Sequence, residues 1–393
     1  MRSALSALPL VGAVTALAGL APACGSDGTT AASQPGSCDD VELIVAASDY
    51  SSSQLCGAPG GCAAGADLGT DPMLAMANGR AFFLARDNDL LFEVDAACGT
   101  PKAKLSVSAL APVDPATKER RSANPHDADV APDGTVVVPL YTAGRIAFFK
   151  DGKLEPTSLD LKDYDADGNP QPDAVRIVTI DGAAKAFVTL ERLDDDDQLR
   201  SKQKSQMLRI DVGSRSVEAV FDLEGRNPFN PMSEVGGALF MAEPGNFDAA
   251  DDELAGIERF DTATSKSQIV VREPDLGGSV AEIAVTDGCG AAIVAGPQPN
   301  VNPTWVVTFD PDTGEIISGK ESPILGPTAG YDLQGLAWHR DTLYVGDRRP
   351  AGGSYVVHVL ERQGRCTLVD GSRKIELPQR PVALRPAQHL QSR

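Results

Sequence analysis

The segment Asp163-Tyr164-Asp165-Ala166-Asp167-Gly168-Asn169 places four oxygen-bearing side chains at alternate positions, with Gly168 permitting a sharp reversal. That spacing suits a hard divalent cation such as Ca²⁺, which is wrapped by carboxylate and amide oxygens. The expected ligands are Asp163, Asp165, Asp167 and Asn169. A full helix-flanked calcium loop would close with a bidentate Glu, but the equivalent place here is Ala174, with Asp173 one residue early. No helical pattern flanks the run. The competing expectation is an acidic loop held by side-chain-to-backbone turns.

A second set stands at the ends of strand-length apolar segments. His126-Asp127 follows Asn124-Pro125 and leads into such a segment; Arg192 and Asp194 follow another. These four are expected to bind a ligand. The alternatives are a His126 that bonds a neighbouring element and an Arg192–Asp194 ion pair. No residue is assigned to catalysis. The four His are widely spaced, and no Gly-x-Ser-x-Gly elbow or nucleotide-binding glycine loop occurs. Ser201-Lys202-Gln203-Lys204 matches Ser-x-x-Lys but sits in a charged insertion.

The elements that would position these groups recur. Short apolar runs paired across tight turns end in an acidic corner at Asp95, Asp151, Asp211, Asp261, Asp310 and Glu361, at intervals of 56, 60, 50, 49 and 51 residues. A period near 50 built of strands indicates a β-propeller of four-stranded blades. Asn78-Gly79 suits a two-residue hairpin turn, and in Asp310-Pro311-Asp312-Thr313-Gly314 the Asp, Pro and Gly each serve a turn position. The segment from Val41 lacks an inner strand before it, and Pro381-Val382-Ala383-Leu384 is an unpartnered strand at the far end. Joining the two closes a ring of seven blades and hides two sheet edges. His126, Asp127, Arg192 and Asp194 would then face the channel mouth.

The expected boundaries are a signal peptide at 1–23, a flexible tether at 24–37, the propeller at 38–386 and a tail at 387–393. Arg2 precedes an apolar stretch that ends Ala21-Pro22-Ala23-Cys24, the pattern of a secretory signal. Small residues before Cys24 and a Gly/Ser/Thr tether after it fit lipidation of Cys24; ordinary cleavage leaving a free thiol is the alternative. Six further Cys, an even number, allow up to three disulfides in an exported chain. Cys56 and Cys62 are spaced for a local loop, and Cys38 with Cys366 is a candidate staple between the ends. The net charge of −20 opposes nucleic-acid binding and adhesion to anionic lipid.

Asp310 to Gly314 resembles the corner of YVTN/NHL-like β-propellers. The stretches Asp49 to Ser53, Asn124 to Asp127, Asp165 to Pro170, Leu190 to Asp194, Asn227-Pro228-Phe229 and Gly277-Gly278 resemble exported propeller lipoproteins of delta-proteobacterial type, over nearly all of residues 38–386. The resemblance implies an all-β fold and no assured reaction. The expectation is a monomeric, lipid-anchored binding or scaffold module of the bacterial cell envelope, outer membrane or surface. It would take a small ligand, glycan or protein at the channel mouth, with Ca²⁺ as the one candidate cofactor. A periplasmic or secreted location and a calcium-dependent, lactonase-like hydrolase are the alternatives.

Overall fold

The computed structural model describes residues 38–387 except 115, 249–250 and 298–301. The expected signal peptide, Cys24, the tether and all of the tail but Ala387 lie outside those residues. The described chain is a seven-bladed β-propeller.

Each blade is an antiparallel meander. In order from the channel outward, one blade comprises Pro72–Ala77, Arg80–Ala85, Leu90–Val94 and Pro101–Ser106. The next has Asp129–Val130, Val136–Leu140 and Arg145–Lys150, with two short outer segments, Lys153–Leu154 and Leu159–Asp160, pairing the third strand. Pro172–Ile180, Ala183–Leu190, Gln206–Asp211 and Ser216–Asp222 form the third full blade, which carries an inserted hairpin, Leu193–Asp194 with Arg200–Ser201. Inner strands Phe229–Val235, Ser279–Thr286 and Leu333–His339 open the three that follow. The closing blade combines Leu43–Ser48, Ser53–Ala58 and Cys62–Ala64 with the C-terminal Pro381–Pro386 as its innermost strand, in the register Leu43↔Pro386 to Ala47↔Pro381.

Side chains alternate between the two faces of a strand, and in the middle strands both faces are buried. That is why these strands read as continuous apolar runs. In Arg80–Ala85, Phe82 and Leu84 pack toward Val136 and Val138 of the following blade, whereas Ala81 and Phe83 pack toward Ile44 and Leu55 of the closing blade. Seven apolar clusters result, one at each blade–blade interface. Phe187 against Phe260, ring centroids 5.7 Å apart, centres one of them.

The corners follow their chemistry. Asn78 (φ 44°) and Gly79 (φ 80°) form the hairpin turn joining Ala77 to Arg80. Asp95, Asp261 and Asp310 each accept backbone N–H groups two and three residues on, and Asp211 accepts that of Ser214. Glu361 departs from this role: it lies within the strand Ser354–Gln363, and the turn falls later, at Gly364.

Disulfides join Cys38–Cys98, Cys56–Cys62 and Cys289–Cys366. The local Cys56–Cys62 loop is present, but the expected Cys38–Cys366 staple is not. Cys366 faces the preceding blade, its Sγ beside the carbonyls of Gly290 and Phe309. Cys38 instead meets the Asp95 corner on the opposite side of the closing blade.

Candidate functional site

The innermost strand of every blade has one ladder edge facing the channel, where unpaired backbone groups need partners. Five inner strands carry bulges against their neighbours: at Pro172/Val175, Phe229/Ser233, Val280/Glu282 and Leu333/Leu336, and in Pro381–Pro386 opposite Ala46/Ala47. Polar side chains from the adjoining blade satisfy channel-facing backbone groups of three of these strands. Asp127 Oδ2 accepts from Val175 N at 3.0 Å, Asp129 Oδ2 from Ile177 N at 2.6 Å, and Ser233 Oγ from Val285 N at 3.1 Å. The Glu282 carboxylate accepts from Gly335 N and Leu336 N at 2.7 and 2.9 Å. Asn230 and Trp338 donate to Ala281 O and Ala284 O. Asp127, expected as a ligand contact, is thus a buried staple that also holds Arg176 at 2.8 Å. Burial raises Asp129 to about 6.

His126 heads a connected network at the end of the channel where the inner strands begin. Its Nδ1 lies 2.6 Å from Asp173 Oδ1, its ring stacks on Tyr141 at 4.1 Å, and Arg86 Nη1 approaches Nε2 at 3.4 Å. Because a guanidinium can only donate, Nε2 must accept, and Nδ1–H donates to Asp173. Burial and the Arg86 charge hold the imidazole below its ordinary range despite Asp173, so it is neutral at pH 7. Tyr141 donates to Glu191 Oε2 at 2.8 Å, and Arg86 pairs with Asp71 at 2.5 Å. Burial, then the neighbouring Asp173, raises Glu191 well above the carboxylate range. Asp173 Oδ2 and Glu191 Oε1 are buried without a hydrogen-bond partner among the described residues.

Arg86, Tyr141, Asp173 and Glu191 were not singled out from sequence, yet a signal existed. Arg86, Tyr141 and Glu191 each immediately follow the second strand of successive blades, Arg80–Ala85, Val136–Leu140 and Ala183–Leu190.

Beside this network, two features that read as separate in the sequence meet. The Asp165–Asp167 loop, which leads into the inner strand Pro172–Ile180, packs against the inserted hairpin of the same blade. Together they line a cleft of about 500 Å³ with Asp165, Asp167, Arg192, Asp194, Lys202 and Gln203 among its walls. Asp165 faces Arg192 at 3.7 Å and accepts from Gln203 at 3.2 Å. Asp167 Oδ1 accepts from Asn169 N and its Oδ2 from Asp195 N, while the Asn169 amide reaches Asp195. Asp194 caps the short turn Asp195–Asp197 and pairs with Lys202 at 2.7 Å. Burial, more than Asp167, raises Asp165, whereas Lys202 lowers Asp194. Asp163 sits on the turn Lys162–Tyr164. Arg192 meets Asp165 rather than Asp194. Among the described residues no three His, Cys, Asp or Glu side chains gather as a metal-holding group.

No protein-family profile matches the chain, and no curated protein does. Solved structures do. A proposed 6-phosphogluconolactonase from Bacteroides fragilis superposes with a TM-score of 0.52 at 13% identity, covering 89% of this chain and 99% of that one. Its counterpart from Bacteroides uniformis gives 0.52 at 13% identity, covering 88% and 100%. The WD40 repeats of RRP9 give 0.50 at 9% identity, covering 90% and 88%. Such distant likenesses bear on the fold alone, and they place the chain among β-propellers.

Proposed function

We propose that this protein is an exported, lipid-anchored propeller that binds a small polyhydroxylated ligand, such as the end of a glycan, in the cleft between the Asp165–Asp167 loop and the Arg192–Lys202 hairpin. The observation that carries this reading is the lining of that cleft. Its volume of about 500 Å³ falls within the usual range for small-ligand sites. Its walls carry four carboxylates, two cations and an amide, with Ala166 and Leu193 as the apolar exceptions. Apolar ligands would strand those charges without partners. Vicinal hydroxyls donate to carboxylates and accept from Arg192, Lys202 and Gln203, matching both kinds of group.

Three disulfides support an oxidising, extracytoplasmic compartment, and Cys24 supplies the anchor in this reading. Isothermal titration of the full chain against a panel of neutral oligosaccharides tests the binding claim. Saturable binding that Asp194→Asn and Lys202→Ala each weaken about tenfold is expected. A panel without saturable heat would remove it. Mass spectrometry of the mature N-terminal peptide tests the anchor: an acylated Cys24 is expected, and an unmodified thiol ends the lipoprotein claim.

A further inference from the structure

Toward the other end of the channel, where the inner strands finish, lies a cavity of about 170 Å³. Arg176, Arg385 and Glu282 supply its charge, and Met232, Leu336 and Trp338 its apolar wall. The two cations differ in their commitments. Arg176 is bound to Asp127. Arg385 donates to the carbonyl of its own neighbour, Leu384, at 2.7 Å, and no carboxylate among the described residues lies within ion-pair distance of it. The acids that face it are already engaged. Both oxygens of Glu282 hold backbone amides, and Asp127 holds Arg176, Val175 N and Ala128 N; Asp129, which faces Arg176, holds Ile177 N and Val130 N. Glu234, exposed on the inner strand Phe229–Val235, faces Arg176. Burial and the nearby Arg176 charge both disfavour the Arg385 cation, a cost that an anion would offset. A guanidinium fork with free donors is suited to bidentate carboxylate recognition.

We propose that this cavity binds a small organic carboxylate, its charged end on Arg385 and its short hydrocarbon body against Met232 and Trp338. Size sets the class. At about 30 Å³ per water, the cavity displaces roughly five or six waters, which admits a short-chain acid and excludes a nucleotide. The site is separate from the sugar cleft proposed above and does not depend on it.

Calorimetric titration of the full chain with butyrate, butyramide and sulfate tests the proposal. Saturable binding of butyrate is expected, with butyramide silent because it lacks the charge. Arg385→Met should weaken butyrate at least tenfold. Should that variant fail to fold by circular dichroism, Arg385→Lys keeps the charge but loses the fork, and the same weakening is expected of it. Absence of butyrate binding to the wild type, equal binding of butyramide, or undiminished binding by the Arg385 variant would each overturn the proposal. Binding of sulfate without butyrate would overturn the organic class.

Discussion

Replacing Asp127 by Asn separates its role as a staple from a role in ligand contact. The carboxylate is 1% exposed and accepts from Val175 N, Arg176 and Ala128 N at 3.0, 2.8 and 2.9 Å. An Asn oxygen can replace one acceptor position, but its NH₂ then confronts a backbone N–H or the guanidinium, donor against donor. Breaking a buried ion pair by removing one partner costs roughly 3–5 kcal/mol. An unfolding entropy of about 2.1 cal/mol/K per residue over residues 38–387 gives roughly 0.7 kcal/mol/K, so the melting midpoint should fall by about 4–7 °C. Differential scanning calorimetry of wild type and Asp127→Asn at pH 7 reads this directly. Oligosaccharide binding in the Asp165–Arg192 cleft, measured below the transition, should persist. A midpoint within a degree of wild type, together with lost ligand binding, would refute the staple and restore Asp127 as a contact residue.

The balance of four shifted carboxylates puts maximum stability at about pH 4. Asp129 and Glu273 have folded values of about 6 and about 7, above their ordinary 3.8 and 4.5. The folded chain therefore keeps protons that the unfolded chain has lost, and both groups subtract stability as pH rises from about 4 to 7. Asp133 and Asp211, each lowered to about 2, act oppositely: their contribution is present above the ordinary value and lost as pH falls toward 2. A melting midpoint that rises steadily from pH 4 to 7 would contradict this balance. Among the disulfides, Cys289→Ser with Cys366→Ser opens a separation of 77 residues and should cost about 4.5 kcal/mol by loop entropy, against about 2 kcal/mol for the Cys56–Cys62 pair. Urea titrations that reverse this order would count against the loop-entropy account. Phe187→Ala, emptying a fully buried site beside Phe260, should cost about 3–5 kcal/mol in the same titration; a loss under 1 kcal/mol would mean that the interface collapses around the gap.

The middle strands were legible because burial on both faces leaves a continuous apolar run, as in Val136–Leu140 or Thr304–Phe309. Outer strands were not. Pro101–Ser106 buries Leu105 alone, and its composition reads as loop. The inner strand Phe229–Val235 escaped notice for another reason: it contains Pro231 and faces a channel, so Met232 is its one buried side chain. Ring closure was readable because both orphan strands were apolar and lacked partners. The site was half-readable. The Asp165–Asp167 loop and the Arg192–Asp194 corner each drew notice, but their meeting depends on both loops leaving the same end of one blade. The role of Asp127 was not legible, since a buried acid that feeds channel-facing amides has the same local sequence as one that greets a ligand. The partner of Cys38 turned on which face of a blade each cysteine occupies, and that is not encoded in spacing.

The closing strand Pro381–Pro386 also imposes an order on biogenesis. The three strands it completes leave the ribosome first and must wait, their hydrogen-bonding edge at Leu43–Ser48 open, until translation has delivered nearly the entire chain. Until then that edge is a template for any extended segment, and a second nascent copy offers the best-matched one. A truncation before Pro381 should therefore leave the Leu43–Ser48 edge open and yield edge-paired or aggregated species rather than a closed ring.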